Sequence, residues 1–392
     1  MNDLSKKVAP IAPKIGIFSF FSGAGFLDLG FEKAGYQVEF ANEIHKPFSD
    51  AYVHARKKMG IELPPNEVNN SDIDDLLNST EASAFSSLYD SQKSKYDFLG
   101  FIGGPPCPDF SVGGKNKGSE GENGKLSETY VDLIIKHRPD FFLFENVKGL
   151  FRTKKHKAFY DKLKRRLNRS GYTLTDDVFN CIEFGVPQDR QRVILVGIQT
   201  SLYKRLKNKL SISDLNLREY ASYKSDETFA LDWPETNDFF VDNQVNIPEG
   251  VVKNLTVQHW FTKNDVYNHK NSAHSFIPRA GLKKFLVIDE GDVSKKSYKR
   301  LHRWRYSPTA AYGNNEVHLH PFKARRLSAA ESLAIQSLPK NFELPESMSL
   351  SNMFKTIGNG VPYLMSLGIA NSIRSHLLQL HERNKTACLQ GE

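Results

Sequence analysis

Short apolar runs alternate with amphipathic stretches through the first half of the chain. Ile15 to Phe20, Val38 to Ala41, Tyr96 to Ile102, Phe141 to Phe144 and Val193 to Gly197 read as strands. Between them, Phe26 to Ala34 and Tyr130 to His137 carry helical spacing. So does Ala158 to Leu167, where Phe159, Leu163 and Leu167 share a face. Strands separated by helices predict an α/β protein with a parallel sheet and crossover helices. The pattern changes after about residue 200. Residues 200–322 are polar, rich in Asn and Ser, and short of regular period, as in a loop-rich insert or separate domain. Regularity returns near Arg325. Ser328 and Glu331 have capping-box spacing ahead of Leu333-Ala334-Ile335, and Tyr363 to Leu380 is again helical in period.

Composition narrows the class. A length of 392 residues suits two or three domains. No apolar stretch approaches the roughly 20 residues that span a bilayer. The first residues lack the apolar core of a signal peptide. Three scattered cysteines, Cys107, Cys181 and Cys388, make no disulfide framework, and no Cys/His spacing suggests zinc. The expectation is a reducing, cytoplasmic setting and no metal. A net charge of +8 leans toward a polyanionic partner. Positive charge concentrates at Lys283-Lys284 and from Lys295 to Arg305, interleaved with Tyr298, Trp304 and Tyr306.

The candidate chemistry gathers where predicted strands end. Gly103-Gly104-Pro105-Pro106-Cys107-Pro108 follows an apolar run, so the Cys107 thiol lies in a stiff loop at a strand end. Ligands bind at that position in open α/β sheets; a small buried thiol is the plainer alternative. After the first run comes Phe21-Ser22-Gly23-Ala24-Gly25, a glycine pair that lets the backbone approach a ligand. Glu43, about twenty residues on, suits a ribose hydroxyl pair. Asp72, with Ile73, stands where a later strand should end and could accept from an adenine amino group. Asp28 occupies the place of a third glycine, which disfavours a pyrophosphate and favours a nucleoside with a neutral or positive tail, such as S-adenosylmethionine. Glu145 closes the apolar Phe141 to Phe144, so poor solvation should raise its pKa toward a proton-donating role.

Taken in order, these motifs carry a resemblance. Phe21-Ser22-Gly23-Ala24-Gly25, Gly104-Pro105-Pro106-Cys107, Glu145-Asn146-Val147, Gln188-Asp189-Arg190-Gln191-Arg192, Arg325-Arg326-Leu327-Ser328 through Glu331, Gln336-Ser337-Leu338-Pro339 and Gly358-Asn359-Gly360-Val361 resemble the ordered motifs of the cytosine-C5 DNA methyltransferases. The resemblance covers about 15–200 and 320–380. It implies a Rossmann-like, mixed and mostly parallel catalytic domain over 1–199 plus 323–392, with a smaller loop-rich target-recognition domain over 200–322. It implies Cys107 as the nucleophile on cytosine C6, Glu145 as its partner at N3, and Arg190 and Arg192 as the positive neighbours. Phe21, Ser22, Gly23, Gly25, Glu43, Ile44, Asp72, Ile73, Pro106, Leu126, Asn359 and Val361 become S-adenosylmethionine-binding candidates. The Gly- and Lys-rich Ser111 to Leu126 resembles the loop that closes over a flipped base. Two positions depart from the pattern: Ile44 stands where some members of the family have an aromatic, and Ala330 where the late motif usually has an arginine.

The partner so implied is double-stranded DNA with a short specific site. Ser111, Lys115, Arg300, Arg303 and Arg305 are its candidate contacts. The chain is expected to be a prokaryotic, nucleoid-associated monomer, with a restriction endonuclease acting separately. Three other readings compete. A transfer-RNA cytosine methyltransferase would share the chemistry but has less use for the large insert. A silent DNA-binding protein would not need Cys107 with Glu145. A nicotinamide oxidoreductase would leave the Pro-Pro-Cys loop unexplained.

Overall fold

A computed structural model describes residues 12–65, 68–106, 122–151, 153–204, 210–278, 281–295, 297–310, 312 and 317–389. The chain runs β1 (Ile15–Phe20), α1 (Phe26–Lys33), β2 (Gln37–Asn42), α2 (Lys46–Met59), two helices α3 (Asp75–Asn78) and α4 (Glu81–Lys93), then β3 (Phe98–Gly103). It continues through α5 (Glu122–His137), β4 (Phe141–Val147), α6 (Lys154–Arg169), β5 (Tyr172–Asn180) and β6 (Gln191–Gln199). The strands form one sheet in the order β2-β1-β3-β4-β6-β5. The first four run parallel, and β6 is antiparallel to both β4 and β5. The expected mixed, mostly parallel sheet is present.

Side chains alternate across the sheet with the two-residue strand period. Ile15 and Ile17 join α1 on one face, while Phe18 and Phe20 join α4, α5 and α6 on the other. β5 was not anticipated. Its sequence, Tyr-Thr-Leu-Thr-Asp-Asp-Val-Phe-Asn, is half polar because it is an edge strand with one wet face. Among the described residues no strand ends at Asp72, contrary to expectation. An isolated bridge, Asn42 to Asn69, extends the sheet beyond β2.

Beyond β6 lie the short helices α7 (Thr200–Lys204), α8 (Ser225–Phe229), α9 (Val257–Lys263) and α10 (Leu282–Phe285). They precede α11 (Ala329–Ile335), α12 (Leu350–Asn359) and α13 (Tyr363–Leu389). The capping box that starts α11 forms as expected: Ser328 Oγ accepts from the Glu331 amide at 3.2 Å, and Glu331 Oε2 from the Ser328 amide at 2.8 Å. The α13 helix returns to the first layer. Ser366 Oγ donates to the Leu27 carbonyl at 2.6 Å, and a Cβ on Gly30 would come within 2.2 Å of that hydroxyl. Glycine therefore sets the α1–α13 approach.

The polar segment after residue 200 does not stand apart from this body. Leu210, Ile212, Leu215 and Leu217 share the core of the sheet's α13 face. Val257, Trp260 and Phe261 of α9 share a core with Phe26, Leu29 and Phe48 and with α11 and α12. Among the described residues, a small cluster of Phe285, Ile288 and Leu319 belongs to the segment itself. Among the described residues no helix is long and apolar enough to cross a membrane.

Candidate active site

The direction of chain winding reverses around β1, whose neighbours β2 and β3 lie on opposite sides. A crevice must open at the carboxyl ends of the strands there. A cavity of about 590 Å³ fills that place.

One wall is the loop after β1. Phe21 holds φ +55°, Gly23 +56° and Gly25 +78°, a run of left-handed residues that folds the backbone tightly before α1. Phe21, Ser22 and Gly23 line the cavity. Gly25 does not, contrary to expectation. A Cβ there would lie 2.2 Å from the Arg56 guanidinium, which reaches from α2 to bond the Gly25 carbonyl at 2.9 Å and the Glu32 carboxylate. Gly25 thus admits the arginine that holds the loop from behind.

Glu43, just past β2, braces the same loop. Its Oε2 accepts from the Gly23 amide at 2.9 Å and its Oε1 from the His45 amide at 2.8 Å. Burial pushes its pKa up, against the pull of those two amides. Ile44, Asp72 and Ile73 line the cavity beside it. Ile44 is exposed and offers the cavity an apolar surface. Asp72 also accepts from the Asp74 amide at 3.0 Å, so it is both a turn cap and part of the wall.

The opposite end is built by β3 and β4. Glu145 is buried at the end of β4, its Oε1 2.7 Å from Arg192 Nε across the β4–β6 pair. Burial drives Glu145 upward, and Arg192 and then Arg190 oppose it. A Cβ on Gly104 would stand 2.6 Å from Glu145 Oε2. The missing side chain is what lets the loop after β3 press against the carboxylate. Asn146 Nδ2 donates to the Pro105 carbonyl at 3.3 Å and fixes the same loop. Gly104, Pro105, Pro106, Leu126, Glu145 and Arg192 all line the cavity. Cys107, Ser111 and Lys115 lie outside the described residues.

The third wall comes from α12 and the turn after it, with Asn359 and Val361 lining the cavity. Arg190 does not line it. Its buried guanidinium donates to the carbonyls of Ala310 (3.1 Å), Gly358 (2.7 Å) and Gly360 (3.1 Å). It is a clamp behind the Asn359 turn, because those inward carbonyls need a buried donor. Lys355, Asn146 and His45 line the cavity and were missed. Asn146 adjoins a singled-out residue, and Lys355 lies one helical turn before Asn359, so both signals were in reach.

Two expected DNA contacts are corrected. Arg300 is fully buried and donates to the carbonyls of Phe285, Ile288, His320 and Lys323. Arg303 is buried in a bidentate pair with Glu290. Each guanidinium spends four of its five N–H donors within an interior polar network and is buried away from the surface. Arg305 is half-buried near the Tyr306 ring, 5.3 Å from its centroid.

The profile of the C-5 cytosine-specific DNA methylases matches residues 15–375. The Type II methyltransferase M.NmeDI of Neisseria meningitidis serogroup C is 54% identical over 94% of this chain and 86% of its own. The Type II methyltransferase M.MthTI of Methanothermobacter thermautotrophicus is 29% identical over 92% of this chain and 97% of its own. Among solved structures, S. pombe Dnmt2 methyltransferase superposes with a TM-score of 0.56 at 14% identity, over 94% of this chain and 100% of the other; at that identity the likeness is one of fold.

Proposed function

The chain belongs to the C-5 cytosine-specific DNA methylase family and is a DNA (cytosine-5-)-methyltransferase of the restriction–modification kind, and from that premise we propose how its residues divide the work. Residues fit for S-adenosylmethionine line one half of the cavity. The carboxylate of Glu43 suits a ribose diol, Ile44 and Ile73 offer apolar cover for adenine, and the bare Gly23 backbone leaves room for a close approach. S-adenosylmethionine, when bound, supplies the electrophilic methyl group that cytosine C5 takes.

The other half receives the base. Cytosine C6 is covered by stacking in a duplex, so the base must swing out, at a cost of a few kcal/mol. The Cys107 thiolate adds to C6. Glu145, whose pKa burial raises against the pull of Arg192 and Arg190, shares a proton with N3 and relieves the charge that builds on the ring. Arg192 holds the Glu145 carboxyl in place. After methyl transfer the C5 proton leaves and the thiolate is eliminated, which restores the ring. Residues 200–322 read the target site, and the rest of the chain carries the chemistry. A separate endonuclease, a monomeric state and a place at the nucleoid complete the proposal.

The observation that carries it is the contact of buried Glu145 with Gly104, three residues before Cys107. DNA with 5-fluorocytosine at the target should trap a covalent adduct on Cys107, because C5 then has no proton to lose. Mass spectrometry finding no adduct, with methylation of ordinary DNA intact, would rule out attack at C6. Cys107→Ser should abolish transfer and leave DNA binding intact.

A further inference from the structure

Once Arg300 and Arg303 are withdrawn from the surface, the recognition segment exposes a different face. Ile277 is 86% exposed and Val287 77%, with Leu282 and Leu286 also open to solvent. Exposed apolar side chains in a group mark an interaction site rather than ordinary surface. Their exposure is imposed from beneath. The buried Arg300 guanidinium bonds the carbonyls of Phe285 and Ile288, which brackets Leu286 and Val287 and turns them outward.

Aromatic and cationic groups join the two pieces of this face. The Arg326 guanidinium lies 5.6 Å from the Phe276 ring centroid and 5.8 Å from that of Tyr298. Tyr298 in turn packs on Phe285 at 5.4 Å, with Lys284 at 6.0 Å. Tyr298 holds φ +61°, a costly conformation for a residue with a Cβ. Among the described residues, no acid pairs with Arg326, Lys283 or Lys284. Of the acids that follow Val287, Asp289 accepts from the Phe239 amide, Glu290 is buried against Arg303, and Asp292 accepts from Ser294. The face also adjoins the active site. Phe276 packs on Phe354 of α12 at 5.2 Å, and the next residues, Lys355 and Thr356, line the cavity.

We propose that Ile277, Leu282, Leu286 and Val287, with Lys283, Lys284 and Arg326, form the surface that reads duplex DNA. The apolar side chains meet base edges, and the three cations meet phosphates. Apolar contact with a thymine methyl discriminates bases, whereas phosphate contacts set affinity and its salt dependence. The proposal rests on the assignment of residues 200–322 to recognition.

The test begins with bisulfite sequencing of DNA from cells expressing the full chain, which identifies the methylated site. Binding is then measured to a duplex carrying that site and to one without it, at two salt concentrations. Thermal unfolding and calorimetric binding of S-adenosylhomocysteine serve as controls. Ile277→Ser with Val287→Ser should weaken binding to the site-bearing duplex about ten-fold and spare the other. Arg326→Ala should weaken both and lower the salt slope by about one. Wild-type binding in both variants overturns the proposal. So does a wild-type dimer, seen by sedimentation, that the serine variant dissociates without loss of DNA binding. Exchange of residues 200–322 for those of a relative separates the two levels. An unchanged site there removes the recognition assignment itself, while a changed site with unaffected point variants removes only this face.

Discussion

Gly104→Ala tests the active-site geometry at the point where two elements meet. The backbone of Gly104 lies outside the left-handed region, so alanine brings no conformational strain of its own. Its Cβ would stand 2.6 Å from Glu145 Oε2, where an ordinary contact needs about 3.4 Å. The carboxylate cannot simply swing away, because its other oxygen is paired with Arg192 at 2.7 Å within a buried site. Either Glu145 or the loop leading to Cys107 must therefore move by roughly 0.8 Å, and a displacement near 1 Å at a reacting group can cost about 100-fold in rate. That corresponds to roughly 2.7 kcal/mol of barrier. The assay is single-turnover methyl transfer to duplex DNA, alongside calorimetric binding of S-adenosylhomocysteine and thermal unfolding. The expected result is a rate about 100-fold lower, with binding and unfolding near wild type. A variant that transfers methyl groups at the wild-type rate would refute the claim that this contact sets the position of Glu145.

Asp28, buried beneath the β1–α1 loop, should make stability depend on pH. Burial pushes its pKa from 3.8 to about 6. The carboxyl is neutral in folded and unfolded chains at low pH, so its share of stability is whole there and is lost as pH rises through about 6, by roughly 3 kcal/mol. Asp28→Asn should remove that fall, seen as a flatter melting temperature between pH 4 and 7 than in the wild type; matching profiles would contradict it. Arg303→Met should cost about 3–5 kcal/mol by leaving Glu290 buried without its partner. The double variant Arg303→Met, Glu290→Met should recover much of that loss in chemical denaturation, and a double variant no more stable than the single would count against a buried-pair origin.

Much of this protein was legible from local pattern. β1 begins and ends where its apolar run does, at Ile15 and Phe20, because a central parallel strand is buried on both faces. The Ser328–Glu331 capping box formed as spaced, because its two hydrogen bonds close within four residues. The glycines and acids at the strand ends could be named in advance because strand ends define the crevice. Other features depended on contacts between distant parts of the chain. β5 is a strand only because β6 lies beside it, and its polar residues face outward. Arg190, Arg300 and Arg303 look like ligand-binding cations in sequence, yet each is consumed by carbonyls or a carboxylate up to 170 residues away. The role of a charged side chain depends on what the folded chain leaves for it to bond. Periodicity is a property of neighbours in sequence, but the satisfaction of a buried charge is a property of neighbours in space.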